Sequence, residues 1–153
     1  MAVKVCVGGT FNAIHNGHIA LLSRAFAEGD EIFVGLTSDM MANKHRNVQV
    51  QDYDTRLKNL AETLTKLSKS KRFWIFRIDD EIGPAAREDY NVIVVSEETL
   101  KGAKIINKAR AAGGLKPLKV VVIDMVLAQG KPISSTRVIR GQIDSRGNPK
   151  DNP

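Results

Sequence analysis

Two of the three histidines in the chain, His15 and His18, stand three residues apart with Gly17 between them. Across a helix start that spacing turns both imidazoles to one side, and the glycine leaves room for a ligand between them. Two N–H donors flanking one phosphate suit transfer at an α-phosphorus, where the equatorial oxygens gather negative charge as the reaction proceeds. Fixed donors then stabilise the transition state more than the ground state, with no covalent intermediate. The same two residues would also serve simply to cap or pack a helix start. A zinc site fits less well, because the pair has no nearby carboxylate and lacks the i,i+4 spacing of zinc helices, and His45 is the only other imidazole.

Immediately upstream, Gly8-Gly9 leads through Thr10-Phe11-Asn12-Ala13-Ile14 into the histidines. Paired glycines let a backbone approach a phosphate closely, and the unpaired amides and positive end of the following helix favour an anion. Near the other end of the chain, Gly130-Lys131-Pro132-Ile133-Ser134-Ser135-Thr136-Arg137 precedes a helical run over residues 138–143. Ser134 or Ser135 fits an ordinary N-cap. The three hydroxyls with Arg137, and Arg140 nearby, also form a natural clamp for β- and γ-phosphates.

The elements that must position these groups follow from the apolar pattern. Short, nearly continuous β-rich runs occur at residues 3–7, 32–36, 73–78, 92–95 and 120–123. Such runs predict strands covered on both faces. Between them lie helical patterns: Ala20, Leu21, Ala25 and Phe26 before Gly29; Leu57, Leu60, Ala61, Leu64 and Leu67; and a helix from about Glu97 to Ala112 that Gly113-Gly114 ends. The alternation predicts a doubly wound, Rossmann-like α/β fold with a five-stranded parallel sheet. Ligands of such sheets bind beyond the carboxyl ends of the strands at the switch in strand order, where Gly8-Gly9 and the histidines should fall. One domain is expected over residues 1–144, followed by a frayed tail, SRGNPKDNP, over 145–153. Lys66-Leu67-Ser68-Lys69-Ser70 reads like the KMSKS loop of class I aminoacyl-tRNA synthetases, but Leu67 continues an apolar stripe. The segment is therefore expected to be a helix end between the second and third strands.

Composition narrows the partners. Apolar residues make up 42% and charged residues 26%, as in a soluble globular protein. The N-terminal apolar run is too short for a secretory signal, and no stretch approaches the ~18 apolar residues of a membrane span. A cytoplasmic protein without a membrane partner is expected. The lone Cys6 excludes an intramolecular disulfide and reads as a buried small hydrophobe. The formal charge of +6 suggests an anionic partner. Lys101, Lys104 and Lys108 share one helix side, which is either a solvated face or an anion-facing patch. Only 5% of the residues are aromatic and none interleaves with these cations, which argues against nucleic acid. The sequence does not give the oligomeric state; a monomer is the simplest expectation.

The pattern T-F-x-x-x-H-x-G-H after the first strand, with I-S-S-T after the last, resembles the HxGH nucleotidyltransferase superfamily. Within it, Gly35-Leu36-Thr37-Ser38-Asp39, Asp80-x-x-Gly83-Pro84 and Val94-Val95-Ser96-Glu97-Glu98-Thr99 are similar to the archaeal and eukaryotic type of phosphopantetheine adenylyltransferase, over nearly the whole length. The resemblance implies transfer of AMP from ATP to 4′-phosphopantetheine, giving dephospho-coenzyme A and pyrophosphate, with Mg²⁺ accompanying ATP. It implies that Thr10 and His18 contact the reacting phosphates and that His15 assists on the nucleotide side. Lys44 stands where bacterial relatives carry a phosphate-binding lysine, although Arg46 is placed to take the same duty and a solvated basic turn explains both. Gly9, Phe11, Gly17, Ile133, Ser134, Ser135, Thr136 and Arg137 would line the ATP site. Ser96, Glu97 and Thr99 would border the adenosine, as they would also suit any helix start. Asp80, with Gly83-Pro84, would lie beside the pantetheine arm, or simply make a turn. One departure stands out: a position usually acidic in the archaeal sequences is Asn12 here. Another HxGH enzyme, such as a cytidylyltransferase or a flavin or nicotinamide nucleotide adenylyltransferase, shares both phosphate motifs, and a non-catalytic nucleotide-binding module is the remaining alternative.

Overall fold

The computed structural model describes residues 2–44, 49–80, 83–124, 127–128 and 131–132. The chain runs β1 (Lys4–Gly9), α1 (Asn16–Glu28), β2 (Glu31–Thr37), a short α2 (Asp39–Asn43), α3 (Tyr53–Leu67), β3 (Arg72–Ile78), a 3₁₀ turn (Pro84–Ala86), β4 (Val92–Ser96), α4 (Leu100–Ala112) and β5 (Lys119–Ile123). A two-stranded antiparallel ribbon, β6 (Leu127–Ala128) with β7 (Lys131–Pro132), follows. The first five strands form one parallel sheet in the order β3-β2-β1-β4-β5, as the alternating pattern predicts. Strand order reverses between β1 and β4, so the crevice for a ligand opens above the carboxyl end of β1. The hydroxyl-rich segment 133–137, Arg140 and the tail 145–153 lie outside the described residues.

Each face of the sheet has its own core. On one side Val5, Val7, Ile32, Val34 and Val94 meet Leu22, Ala25 and Phe26 of α1 and Leu60 and Leu64 of α3. These helix positions recur at i+3 and i+4, which is why one stripe of each helix reaches the sheet. Burial of each such leucine contributes about 1.5–3 kcal/mol. On the other side Cys6, Ile93 and Val95 meet Ala103 of α4, with Phe33 and Tyr90 packed alongside. Burial pushes the Cys6 thiol up to about 12, consistent with a small hydrophobe and not a reactive thiol. Coverage of both faces holds for Val5, Cys6 and Val7 of β1 and Val92 to Val95 of β4 but not for the edges: Trp74 on β3 and Val122 on β5 are 41% and 42% exposed. Edge strands have a neighbour on one side only, and the helices sit over the middle of the sheet.

Local chemistry sets the helix ends. α4 begins three residues later than the expected Glu97, because Ser96 to Thr99 forms a turn in which the Ser96 carbonyl accepts from the Thr99 amide. Its end is as expected: Gly114 takes φ +77°, and Leu115 and Gly114 amides return to the carbonyls of Arg110 and Ala111, a Schellman closure. The Lys71 ammonium donates to the carbonyls of Phe26 and Gly29, closing the end of α1 from the start of β3. Lys66 to Ser70 is the end of α3 and the turn into β3, hence at the amino edge of the sheet and opposite the crevice, as read from the sequence. Among the described residues no helix is long and apolar enough to cross a membrane.

Gly29 is required sterically. A Cβ there would stand 2.5 Å from Val5 Cγ2 and 2.7 Å from the Val3 carbonyl oxygen, and the backbone atom cannot yield cheaply. Gly29→Ala is expected to cost about 1–3 kcal/mol, read as a lower urea midpoint at unchanged slope. Gly102→Ala, whose Cβ would meet nothing within 4 Å, is the control and should cost nothing.

Candidate active site

His15 is the N-cap of α1, and its Nδ1 accepts from the amides of Gly17 at 3.0 Å and His18 at 3.4 Å. In return the His15 amide donates to Nδ1 of His18 at 3.2 Å. This is a capping box built from two imidazoles in place of the usual hydroxyl and carboxylate. The rings stack with centroids 3.8 Å apart. Because both Nδ1 atoms accept, each neutral ring carries its proton on Nε2, on the side away from the helix amides. The cap therefore fixes the tautomer and orientation of two N–H donors. Burial pulls the His15 pKa down to about 4, so this ring is neutral near pH 7.

The chain reaches this cap through a strained bend. Phe11 is buried and takes φ 49°, a conformation that costs an aromatic residue about 1–3 kcal/mol. Its ring lies 5.1 Å from that of His18. A Cβ on Gly9 would stand 3.1 Å from the Phe11 ring, and one on Gly8 would stand 3.2 Å from Ile78. The space opened by the paired glycines thus accommodates the protein's own side chains.

Beside the bend, Thr37 Oγ1 at the end of β2 donates to Thr10 Oγ1 at 3.0 Å. Both threonines are held by Arg56 of α3, a fully buried cation that the sequence reading missed. Its Nε donates to the Gln51 carbonyl, one terminal nitrogen to the carbonyls of Thr10 (3.1 Å) and Thr37 (2.8 Å), and the other to Asp39 (2.9 Å). The available signal was a cation four and eight residues before Leu60 and Leu64, on the buried stripe of α3. Asn12 is also buried: its Oδ1 accepts from the Gln51 amide at 2.8 Å and its Nδ2 donates to the Gln49 carbonyl.

The remaining candidates divide. Ser96 ends β4, next to β1 in the sheet, and Thr99 follows it, but their hydroxyls turn to one another and to the Ser96 amide and do not cap α4. Glu97 lies in the same turn and is exposed. Asp80 accepts from the Gly83 amide at 2.6 Å, and Gly83 takes φ 60°, so the turn reading of Asp80-x-x-Gly83-Pro84 is realised. Behind that turn, on the α4 side of the sheet, a small, open apolar pocket of about 70 Å³ is lined by Cys6, Gly8, Phe76, Ile78, Pro84 and Ile106. Lys44 closes α2 with an exposed side chain. Arg46 and residues 133–137 fall outside the described residues. Thr10, the histidines, Thr37, Asp80 and Ser96 all lie at or after the carboxyl ends of parallel strands, the edge of the sheet on which the crevice opens. Among the described residues no three His, Cys, Asp or Glu side chains gather as a metal cage would require.

A family model described as cytidylyltransferase-like matches residues 6–141. A Pyrococcus abyssi protein described as phosphopantetheine adenylyltransferase is 44% identical, over 95% of this chain and 94% of its own length. A Thermococcus gammatolerans protein of the same description is 46% identical, over 97% and 96%. Among solved structures, a protein of unknown function from Archaeoglobus fulgidus is similar at TM-score 0.72 and 30% identity, covering 81% of this chain and all of that one.

The lowered pKa of His15 links the cap to pH. Between the unfolded value near 6.5 and the folded value of about 4, the unfolded chain binds the extra proton, so this contribution to stability rises with pH across that interval. Stability is expected to be complete above pH ~6.5 and to fall as the pH drops towards ~4. Urea midpoints at pH 7 and pH 5 should differ less in His15→Asn, which keeps a cap but does not titrate.

Proposed function

We propose, from the premise that the chain belongs to the phosphopantetheine adenylyltransferase family within the cytidylyltransferase-like proteins, that it transfers AMP from ATP to 4′-phosphopantetheine, forming dephospho-coenzyme A and pyrophosphate. The observation that carries the reading beyond kinship is the reciprocal His15–His18 cap, which supports two oriented Nε2–H donors at the switch point of the sheet.

In this mechanism an oxygen of the acceptor phosphate attacks the α-phosphorus of ATP in line, the new P–O bond forms, and the bond to the β-phosphate oxygen breaks to release pyrophosphate. The acceptor phosphate is already ionised, so no general base is needed and catalysis rests on positioning and charge stabilisation. His18 and Thr10 donate to the reacting phosphates, and neutral His15 assists on the nucleotide side. Ser134, Ser135, Thr136 and Arg137 hold the leaving phosphates, Lys44 or Arg46 adds a cation, and Ser96 to Thr99 border the adenosine. Mg²⁺ entering with ATP would neutralise polyphosphate charge. The small apolar pocket behind Gly83-Pro84 offers a surface for part of the pantetheine arm, whose phosphate end would then lie towards Thr10.

Pyrophosphate release across a panel of nucleotides and phosphorylated acceptors tests the reading. ATP with 4′-phosphopantetheine should be the strong pair, and turnover dominated by CTP with glycerol phosphate would sink it. His18→Ala is expected to lower kcat by about 10²–10³-fold. Because the substitution also removes half of the cap, it should cost about 1 kcal/mol of stability, measured separately by urea unfolding.

A further inference from the structure

We infer that Arg56 and Thr37 form a one-way hydrogen-bond relay that orients the Thr10 hydroxyl, making both of them positioning residues for transfer. The inference rests on the functional reading above, in which Thr10 meets the reacting phosphates.

A guanidinium has five N–H donors and no acceptor, so Arg56 can only donate to the groups it touches. Its terminal nitrogen reaches Thr37 Oγ1 at 3.4 Å as well as the Thr37 carbonyl at 2.8 Å. Thr37 Oγ1 accepts from Arg56 and donates its own proton to Thr10 Oγ1 at 3.0 Å. Thr10 Oγ1 is thereby an acceptor towards Thr37, and its hydrogen is directed elsewhere. The same nitrogen holds the Thr10 carbonyl at 3.1 Å, so backbone and side chain of Thr10 are both fixed from one buried point. Arg56 has no exposure to solvent, whereas its carboxylate partner Asp39 is 55% exposed on the side chain. The buried cation therefore faces strand-end carbonyls more than a matched ion pair, and it offsets their negative ends where an anionic substrate must approach. A threonine hydroxyl whose rotation is restricted by an accepted bond has less reorganisation to complete in the transition state than a freely rotating one.

Removing Arg56 would strand buried carbonyls and endanger folding, so Thr37 carries the test. Thr37→Val keeps shape and severs the relay; Thr37→Ser keeps the hydroxyl. With ATP and 4′-phosphopantetheine, Thr37→Val is expected to lower kcat by about 10-fold or more with KM for ATP nearly unchanged. Thr37→Ser should recover most of that loss. In a Thr10→Val background, Thr37→Val should cause no further fall in kcat, because the group it orients is gone. Unchanged kcat in the folded Thr37→Val protein, or a full independent loss in the double variant, would overturn the relay while wild-type activity stands. A wild-type protein that releases no pyrophosphate with this pair would overturn the functional reading and the relay together.

Discussion

A guanidinium shut off from water sits where three separate segments of the chain converge. A buried cation is costly unless its donors are matched, and the donors of Arg56 are matched by the carbonyls of Thr10, Thr37 and Gln51 and by Asp39. Those carbonyls belong to residues that leave β1, leave β2 and approach α3. The carboxyl end of a parallel strand leaves such oxygens without a ladder partner, and here a single side chain collects them. The mouth of the crevice is held in shape by this convergence: the bend at Phe11, the start of α2 behind Ser38 and the entry to α3 meet the same cation or its neighbours.

The histidine cap depends on that framework. α1 can begin at Asn16 only if the chain turns sharply after Thr10, and the turn is taken by a buried aromatic residue with positive φ, whose ring then supports His18. Strain of this kind persists only where surrounding contacts over-determine it. The tie from Arg56 to the Thr10 carbonyl on one side and the two-imidazole box on the other supply those contacts. Depressed basicity at His15 follows from the same burial, so the geometry that caps the helix also keeps the ring neutral and donating.

The strands could be read from the sequence because each is a short apolar run, nearly continuous where both faces are covered, and each helix shows its stripe. The histidines could be read because their spacing and the preceding glycines are local. What could not be read depends on contacts between distant positions. Arg56 bonds to Thr10 across 46 residues, and nothing local distinguishes it from a solvated arginine except its phase on α3. The late start of α4 arises because Ser96 and Thr99 satisfy one another in a turn, a choice that propensity alone does not separate from capping. Trp74 and Val122 look like core residues in composition, and only their edge position leaves them exposed.

Asn12 shows how far the framework reaches. A carboxylate at this position could still accept from the Gln51 amide, but it could not donate to the Gln49 carbonyl and would set one acceptor against another. The amide uses both of its ends to hold residues 49–51, the same segment that Arg56 holds through the Gln51 carbonyl. Two independent grips on one short segment make a charge at residue 12 unnecessary for shaping the mouth. They also remove a negative group from the neighbourhood of the histidine cap, where the proposed substrates bring several negative charges of their own. An amide here, where a carboxylate would add charge, holds the architecture and lightens the electrostatic load on it.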